Sequence, residues 1–141
     1  MLPTQPNNPV AHQYMGDIYL LEDNLDLALE SYSQAVRFSS LSPALASRLG
    51  NVWMQKGDYL MAIVYCRHWV NSSPNNPAAH YSLGIALRNR ERVDEARLSL
   101  QTSADLYMRL GDAENFEKVR GFKSEVHQGR SSLTMPAPLP S

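Results

Sequence analysis

The strongest candidates for catalysis or metal binding in this sequence are one cysteine and four histidines. Cys66 and His68 lie two residues apart, so a helix would place them on different faces and out of reach of each other. His12 and His80 occupy the same position of two repeats described below, too far apart to share a metal ion. Neither an HExxH motif nor a glycine-rich phosphate-binding loop occurs. The sequence therefore predicts a protein that is not an enzyme and has no metal site and no cofactor.

The charges of the sequence are balanced, with 13 Lys and Arg against 14 Asp and Glu and a net charge of −1. Proteins that bind nucleic acid by neutralising phosphates normally carry a basic excess, so we expect no nucleic-acid partner. One segment is rich in arginine, but acidic residues alternate with the basic ones, which is typical of a solvated helix face. Its charged residues are Arg88, Arg90, Glu91, Arg92, Asp94, Glu95 and Arg97.

Other compositional features exclude a membrane protein. No apolar run approaches the roughly 20 residues that a membrane-spanning helix needs. The first ten residues lack the basic and apolar regions of a signal peptide. A single cysteine cannot form an internal disulfide bond. These features predict a soluble, cytoplasmic protein of one compact domain or a short repeat array, with no membrane insertion.

The sequence repeats itself every 34 residues, three times. The repeated small residues are Gly16, Gly50 and Gly84, followed twelve positions later by Ala28, Ala62 and Ala96. A polar residue followed by proline recurs at the same interval, as Asn8-Pro9, Ser42-Pro43 and Asn76-Pro77. A period of 20 to 50 residues indicates a solenoid or another repeat array.

Each repeat predicts two helices joined by a short turn. An Asn or Ser before Pro is the signature of a helix N-cap, and apolar residues such as Met15, Ile18 and Tyr19 follow at helical spacing. This first helix, helix A, should contain about 13 residues. Asn24 and Asp58 are good caps for the second helix, helix B, whereas the third repeat offers only Arg92. Because the glycine and the alanine are both small, we expect Gly16 to pack near Ala28.

This pattern resembles the tetratricopeptide repeat (TPR) over residues 9–110. The resemblance implies an all-α fold, a right-handed α-solenoid of three helix–turn–helix hairpins closed by a C-terminal capping helix. The expected boundaries are a lead-in at 1–8, repeats at 9–42, 43–76 and 77–110, a capping helix at 111–127 and a disordered tail at 128–141. Pro74 stands where the family closes a repeat with proline. Trp69 departs from the family, which has a small residue there, so its indole must widen the groove or tilt outward.

Both ends of the array carry further signals. Residues 6–12 nearly duplicate residues 74–80, which indicates either an ordinary capped helix start or the remnant of an upstream repeat. At the other end, Gly111 and Asp112 should stop a long helix B and cap a final helix. The apolar stripe of that helix is Phe116, Val119, Phe122 and Val126. The Pro- and Ser-rich tail is expected to be a solubilising segment or, alternatively, a ligand for a proline-binding groove.

The resemblance also implies where a partner binds, because the A helices of TPR proteins line a concave groove. The positions that the resemblance assigns to this groove and its edge are Gln13, Tyr14, Asp17, Leu20, Arg48, Asn51, Met54, Tyr81, Ile85 and Arg88. Some relatives clamp a chaperone's C-terminal carboxylate with Lys, Arg and Asn side chains. Here the matching positions hold Gln13, Asp17, Arg48, Ala78 and Ser82, so the clamp is absent.

Two functions remain open for this surface. In the first, the protein is a protein–protein interaction module, an adaptor or scaffold, that binds a partner's peptide or helix. Leu20, Met54, Tyr81 and Ile85 would provide the apolar contacts, Arg48 and Arg88 would pair with an acidic residue, and Asn51 would bind the backbone. In the alternative, the protein is a structural subunit that joins a homo-oligomer or a larger assembly through its open ends.

Overall fold

In the computed structural model, which describes residues 7–127, the chain folds into seven α-helices. The helices are α1 (Pro9–Leu21), α2 (Leu25–Phe38), α3 (Pro43–Lys56), α4 (Tyr59–Ser72), α5 (Pro77–Asn89), α6 (Val93–Arg109) and α7 (Ala113–His127). Consecutive helices pack against each other as three hairpins followed by one helix, and no strand occurs among the described residues. The predicted all-α solenoid is confirmed. The predicted tail at 128–141 and most of the lead-in at 1–8 lie outside the described residues.

The helices begin where capping chemistry requires. The side chains of Asn8, Ser42 and Asn76 accept hydrogen bonds from the first turns of α1, α3 and α5, each of which starts with proline. Asn24 and Asp58 cap α2 and α4 in the same way. Among the described helix starts, that of α6 at Arg92 has no side-chain capping bond, in agreement with the weak signal there.

The turn between the two helices of a hairpin requires a left-handed residue. Gly57 fills this position in the second repeat with a φ of 80°. The corresponding residues of the first and third repeats are Asp23 and Glu91, with φ values of 57° and 66°. L-residues rarely adopt this conformation and lose free energy in it, whereas glycine does not.

The repeated spacing of the glycines has a steric cause, the close approach of the two helices of each hairpin. A Cβ atom at Gly84 would lie 2.7 Å from Cδ2 of Leu100, and one at Gly50 would lie 3.0 Å from Sγ of Cys66. A Cβ at Gly16 would collide with the ring of Tyr32. The side chain nearest to each glycine is that of the residue one helical turn after the alanine, and in the third repeat the carbonyl oxygen of Ala96, the equivalent of Ala28, also lies 3.5 Å from the Cβ position of Gly84. Ala28 is itself fully buried.

The last helix packs as the first helix of a further repeat would. Asp112 caps α7 by accepting a hydrogen bond from the backbone N–H of Asn115 at 3.1 Å. Val119 is fully buried, and Phe116 and Phe122 pack against the core that the second and third repeats share. Helix α6 has 17 residues where α2 and α4 have 14, so α7 starts later than the 34-residue period alone would place it.

Two negative findings apply to the described part of the chain. No helix between residues 7 and 127 is long and apolar enough to cross a membrane. The same residues contain no group of three or more side chains that could together hold a metal ion.

Candidate functional site

The ten side chains assigned to the groove divide into two sets according to their burial. Six lie in α1 and in α3 up to Asn51 and are at least partly exposed: Gln13, Tyr14, Asp17, Leu20, Arg48 and Asn51. Four lie at the end of α3 and in α5 and are buried: Met54, Tyr81, Ile85 and Arg88. The accessible part of the predicted groove is therefore confined to the first and second repeats.

In the accessible part, Asp17 is the centre of a polar contact between three helices. Nε of Arg48 in α3 donates to Oδ1 of Asp17 in α1 at 3.0 Å. The hydroxyl of Tyr32 in α2 donates to the same oxygen at 2.5 Å. Burial raises the pKa of Tyr32, and the neighbouring Asp17 raises it further, so this hydroxyl remains a donor.

This contact changes the role expected of Arg48. Its guanidinium was expected to pair with an acidic residue of a partner, and in the structure it pairs with Asp17. Both side chains are about one-third exposed, at 34% and 37%, so the pair lies at the surface. The charges of Arg48 and Asp17 balance each other, and this part of the groove carries no excess of either sign.

In the third repeat, the capping helix covers the predicted site residues. The ring of Phe122 lies over the guanidinium of Arg88, whose central carbon is 4.5 Å from the ring centroid. Phe122 also meets the ring of Tyr81 edge-on, with centroids 6.2 Å apart. Arg88, Tyr81 and Ile85, which were expected to contact a partner, are all buried in this arrangement of the chain. For Arg88 and Tyr81 one cause is Phe122, whose side chain reaches from α7 to α5.

The electrostatics of this covered region follow from its burial. Burial lowers the pKa of the Arg88 guanidinium and raises that of the Tyr81 hydroxyl to about 12. Nε of Arg88 donates to Oδ1 of Asn89 at 2.9 Å. The amide of Asn89 in turn contacts Sδ of Met54 at 3.9 Å, which places Met54 in the core between the second and third repeats. Met54, which was expected to anchor a partner, is a core residue in this structure.

The remaining accessible side chains are mostly uncharged and polar. Nε2 of Gln55 donates to Oδ1 of Asn51 at 3.2 Å on the exposed side of α3. Gln13 lies at the corresponding side of α1, and Leu20 packs partly into the first core cluster. Side-chain amides both donate and accept hydrogen bonds, so this surface can bind backbone groups of an extended chain.

Comparison with known proteins agrees with the fold, although no protein-family model matches the chain. A TPR repeat-containing protein of Picosynechococcus sp. is 32% identical over 80 residues, which are 57% of this chain and 21% of that protein. Among solved structures, the complex of the TPR2B domain of yeast Sti1 with pHsp70 superposes with a TM-score of 0.78 at 13% identity, over 86% of this chain and 98% of that one. The chain has the fold of a tetratricopeptide-repeat array. It spans about a fifth of the length of that curated relative.

A second solved TPR structure, the first TPR of Spaghetti (RPAP3), is bound to the HSP90 peptide SRMEEVD. It superposes with a TM-score of 0.69 at 14% identity, over 85% of this chain and 96% of that one. At these identities the superpositions establish the TPR fold. The groove chemistry of the present chain has to be derived from its own residues.

The side chains considered for catalysis lie in structural contacts of the TPR array. Cys66 is buried against Gly50, and burial raises the pKa of its thiol to about 12, so it is not a reactive thiolate. The ring of His12 stacks on Phe38 with centroids 5.9 Å apart. Nε2 of His68 lies 2.9 Å from the carbonyl oxygen of Leu41, and Nε2 of His80 lies 2.8 Å from that of Pro74.

The exposed apolar side chains of α1 were only partly predicted from the sequence. Tyr14 was expected at the edge of the groove, but it lies in a row of exposed apolar side chains along α1. The signal was present in the repeat alignment, because Ile18 corresponds to the buried residues Val52 and Ala86 of the following repeats.

Proposed function

We propose that this chain is a non-catalytic protein–protein interaction module that binds an extended peptide on the A helices of its first two repeats. The observation that carries the proposal is the accessible amide surface formed by Asn51 and Gln55 in α3 and Gln13 in α1. The equivalent side of α5 lies under Phe122. The open half of the groove is therefore where a partner would gain contacts without displacing α7.

The chemistry of this half favours recognition of a peptide backbone. An extended segment carries unpaired N–H and C=O groups, and the amides of Asn51 and Gln13 can satisfy both kinds. Leu20 and the exposed Leu21 stand at the end of α1, where they would contact an apolar side chain of the peptide. Because Asp17 neutralises Arg48, we expect the affinity to depend only weakly on salt.

The peptides seen in the two solved neighbours are not the expected ligands here. Those structures contain pHsp70 and the HSP90 peptide SRMEEVD. In the present chain Arg48 is paired with Asp17, and Ala78 is buried and apolar. We therefore expect a Glu-Glu-Val-Asp terminus to find no carboxylate-binding cluster on this surface.

Peptide selection with the immobilised chain tests the proposal, followed by calorimetry of the selected peptides against variants. The double substitution Asn51→Ala and Gln55→Ala should weaken binding at least about tenfold, because each lost hydrogen bond costs about 1 kcal/mol. The matched control is Asn71→Ala with Asn75→Ala, which removes two exposed amides at the end of α4 and in the loop that follows. Equal affinities for the two double variants would contradict the proposal.

A further inference from the structure

Helix α5 presents an aromatic ring and a cation to the capping helix. Tyr81 and Arg88 are two helical turns apart and therefore share one face of α5. They are only 6% and 5% exposed, because α7 lies on this face. Aromatic rings and arginines are the side chains that most often anchor a binding partner. We call these two residues the Tyr81–Arg88 site.

The last part of α7 occupies this site as a ligand would. The ring of Phe122 lies over the guanidinium of Arg88 and meets the ring of Tyr81 edge-on. Glu125 follows three residues later, on the same side of α7. Burial lowers the pKa of Arg88, and the neighbouring Tyr81 and Glu125 oppose this shift. Helix α7 thus offers the site an aromatic ring and a carboxylate, spaced three residues apart.

This part of α7 has fewer buried contacts than the part that precedes it. Asn115 and Val119 are buried, whereas none of the described side chains from 120 to 125 is buried. A Cβ atom at Gly121 would have no neighbour within 4 Å, so close packing does not require glycine there. Glycine inside a helix lowers its stability relative to alanine. Release of residues 121–127 from α5 would therefore break the helix at its weakest position and leave Val119 in the core.

We propose that residues 121–127 are an internal ligand of the Tyr81–Arg88 site and exchange there with a helix of a partner protein. The partner helix carries an aromatic residue and, three positions later, an acidic residue, as α7 does with Phe122 and Glu125. Its ring stacks on the guanidinium of Arg88, and its carboxylate faces the same cation. Because the internal ligand competes at a high effective concentration, the site is accessible to a partner only in the fraction of molecules in which α7 is released.

The Tyr81–Arg88 site is separate from the proposed peptide site. The amides of Gln13, Asn51 and Gln55 lie on α1 and α3, whereas the Tyr81–Arg88 site lies on α5. The two sites also differ in chemistry. Amides suit the backbone groups of an extended segment, while a ring and a cation suit the side chains of a helix. Each proposal can therefore fail while the other holds.

Fluorescence anisotropy with a labelled peptide of the sequence 113–127, the α7 peptide, tests the exchange on the full chain. The Phe122→Ala chain should bind the α7 peptide at least about tenfold more tightly than wild type, because its internal ligand lacks the ring. The Gly121→Ala chain should bind it about threefold to fivefold more weakly, because alanine stabilises the closed helix. Lys118→Ala changes the exposed side of α7 and should bind as wild type does. Circular dichroism establishes that each variant is folded.

Variants of the α7 peptide test the chemistry assigned to the partner. On the Phe122→Ala chain, a peptide with Phe122→Ala should bind at least about tenfold more weakly than the α7 peptide. A peptide with Glu125→Gln should bind about threefold more weakly, because it cannot attract the guanidinium. The control peptide with Glu117→Gln has the same change of charge away from the site and should keep the affinity. Equal affinities of all these peptides would overturn the assigned chemistry.

Two further outcomes would overturn the exchange itself. One is that the α7 peptide binds none of the folded chains, and the other is that Phe122→Ala and Gly121→Ala leave its affinity unchanged. The double variant Asn51→Ala and Gln55→Ala should bind the α7 peptide as wild type does. Loss of binding in that double variant would assign the peptide to the amides of α3, which would contradict this inference and leave the proposed function intact.

Discussion

The guanidinium of Arg88 lies beneath the ring of Phe122, with 4.5 Å between the guanidinium carbon and the ring centroid. This contact joins the A helix of the third repeat to the capping helix. It removes from solvent the residues that the TPR pattern assigns to the concave surface of that repeat. The position of one phenylalanine thus limits the accessible groove to the first two repeats.

Removing the Phe122 ring should both destabilise the fold and open α5. Phe122→Ala loses the contacts to Arg88 and Tyr81, and we expect it to lower the free energy of unfolding by about 2 kcal/mol. Urea denaturation measures this loss, and hydrogen exchange of α5 amides should become faster. Lys118→Ala, on the exposed side of α7, is the control and should change little. Wild-type stability and exchange in Phe122→Ala would show that α7 does not close the third repeat.

The contact of Asp17 with Arg48 and Tyr32 should contribute more to stability than an ordinary surface ion pair. Asp17→Ala leaves the buried hydroxyl of Tyr32 without this acceptor, and we expect a loss of about 1 to 2 kcal/mol. Asp26→Ala is the matched control, because Asp26 pairs with Lys56 while remaining 83% exposed. That substitution should cost less than about 1 kcal/mol. Equal losses in thermal and urea denaturation would contradict this difference.

At the left-handed turn position, introducing glycine should raise the stability of the protein, and removing glycine should lower it. Glu91→Gly removes the backbone strain of an L-residue at a φ of 66° and should stabilise the protein by about 1 kcal/mol. Gly57→Ala places a side chain at a φ of 80° and should destabilise it by a similar amount. Melting temperatures of both variants provide the measurement. A loss of stability in Glu91→Gly would show that the Glu91 side chain makes a compensating contribution.

Stability should fall in alkaline solution. Burial raises the pKa of Cys66 from 9.0 to about 12 and that of Tyr81 from 10.0 to about 12. Above about pH 9 the unfolded chain therefore loses protons that the folded chain retains, and the free energy of unfolding decreases with rising pH. The full contribution is present below about pH 9 and is lost as the pH approaches about 12.

Urea denaturation in steps of pH measures this decrease. Each group contributes at most about 1.4 kcal/mol per pH unit. Cys66→Ala should reduce the slope between about pH 9 and pH 10, where the thiol of the unfolded chain ionises before its tyrosines. A free energy of unfolding that stays constant to about pH 11 would contradict the role assigned to these buried groups.

The sequence predicts the helices well because their signals are local. Asn8, Ser42 and Asn76 cap the A helices through hydrogen bonds to residues two or three positions away. The 34-residue period similarly identifies the core alanines, which pack in the same way in every repeat. These features depend on neighbours in the chain or on repetition, and both can be seen in one sequence.

The site was less predictable because its exposure depends on how distant helices pack. The repeat position of Arg88 is that of a groove residue, but its burial depends on where Phe122 falls after the longer α6. Likewise, spacing identified Gly16 as a close-contact residue but did not identify Tyr32 as the side chain nearest to it. That contact depends on the level at which the two helices approach most closely.

The most direct test of the account is a titration of the isotope-labelled chain with a selected peptide, followed by NMR of the side-chain amides. If the peptide binds on the A helices, the resonances of Gln13, Asn51 and Gln55 shift on binding, while those of Asn71 and Asn75 stay in place. Shifts confined to Asn71, Asn75 and the B helices would contradict it, and would assign the binding surface to the outer side of the array.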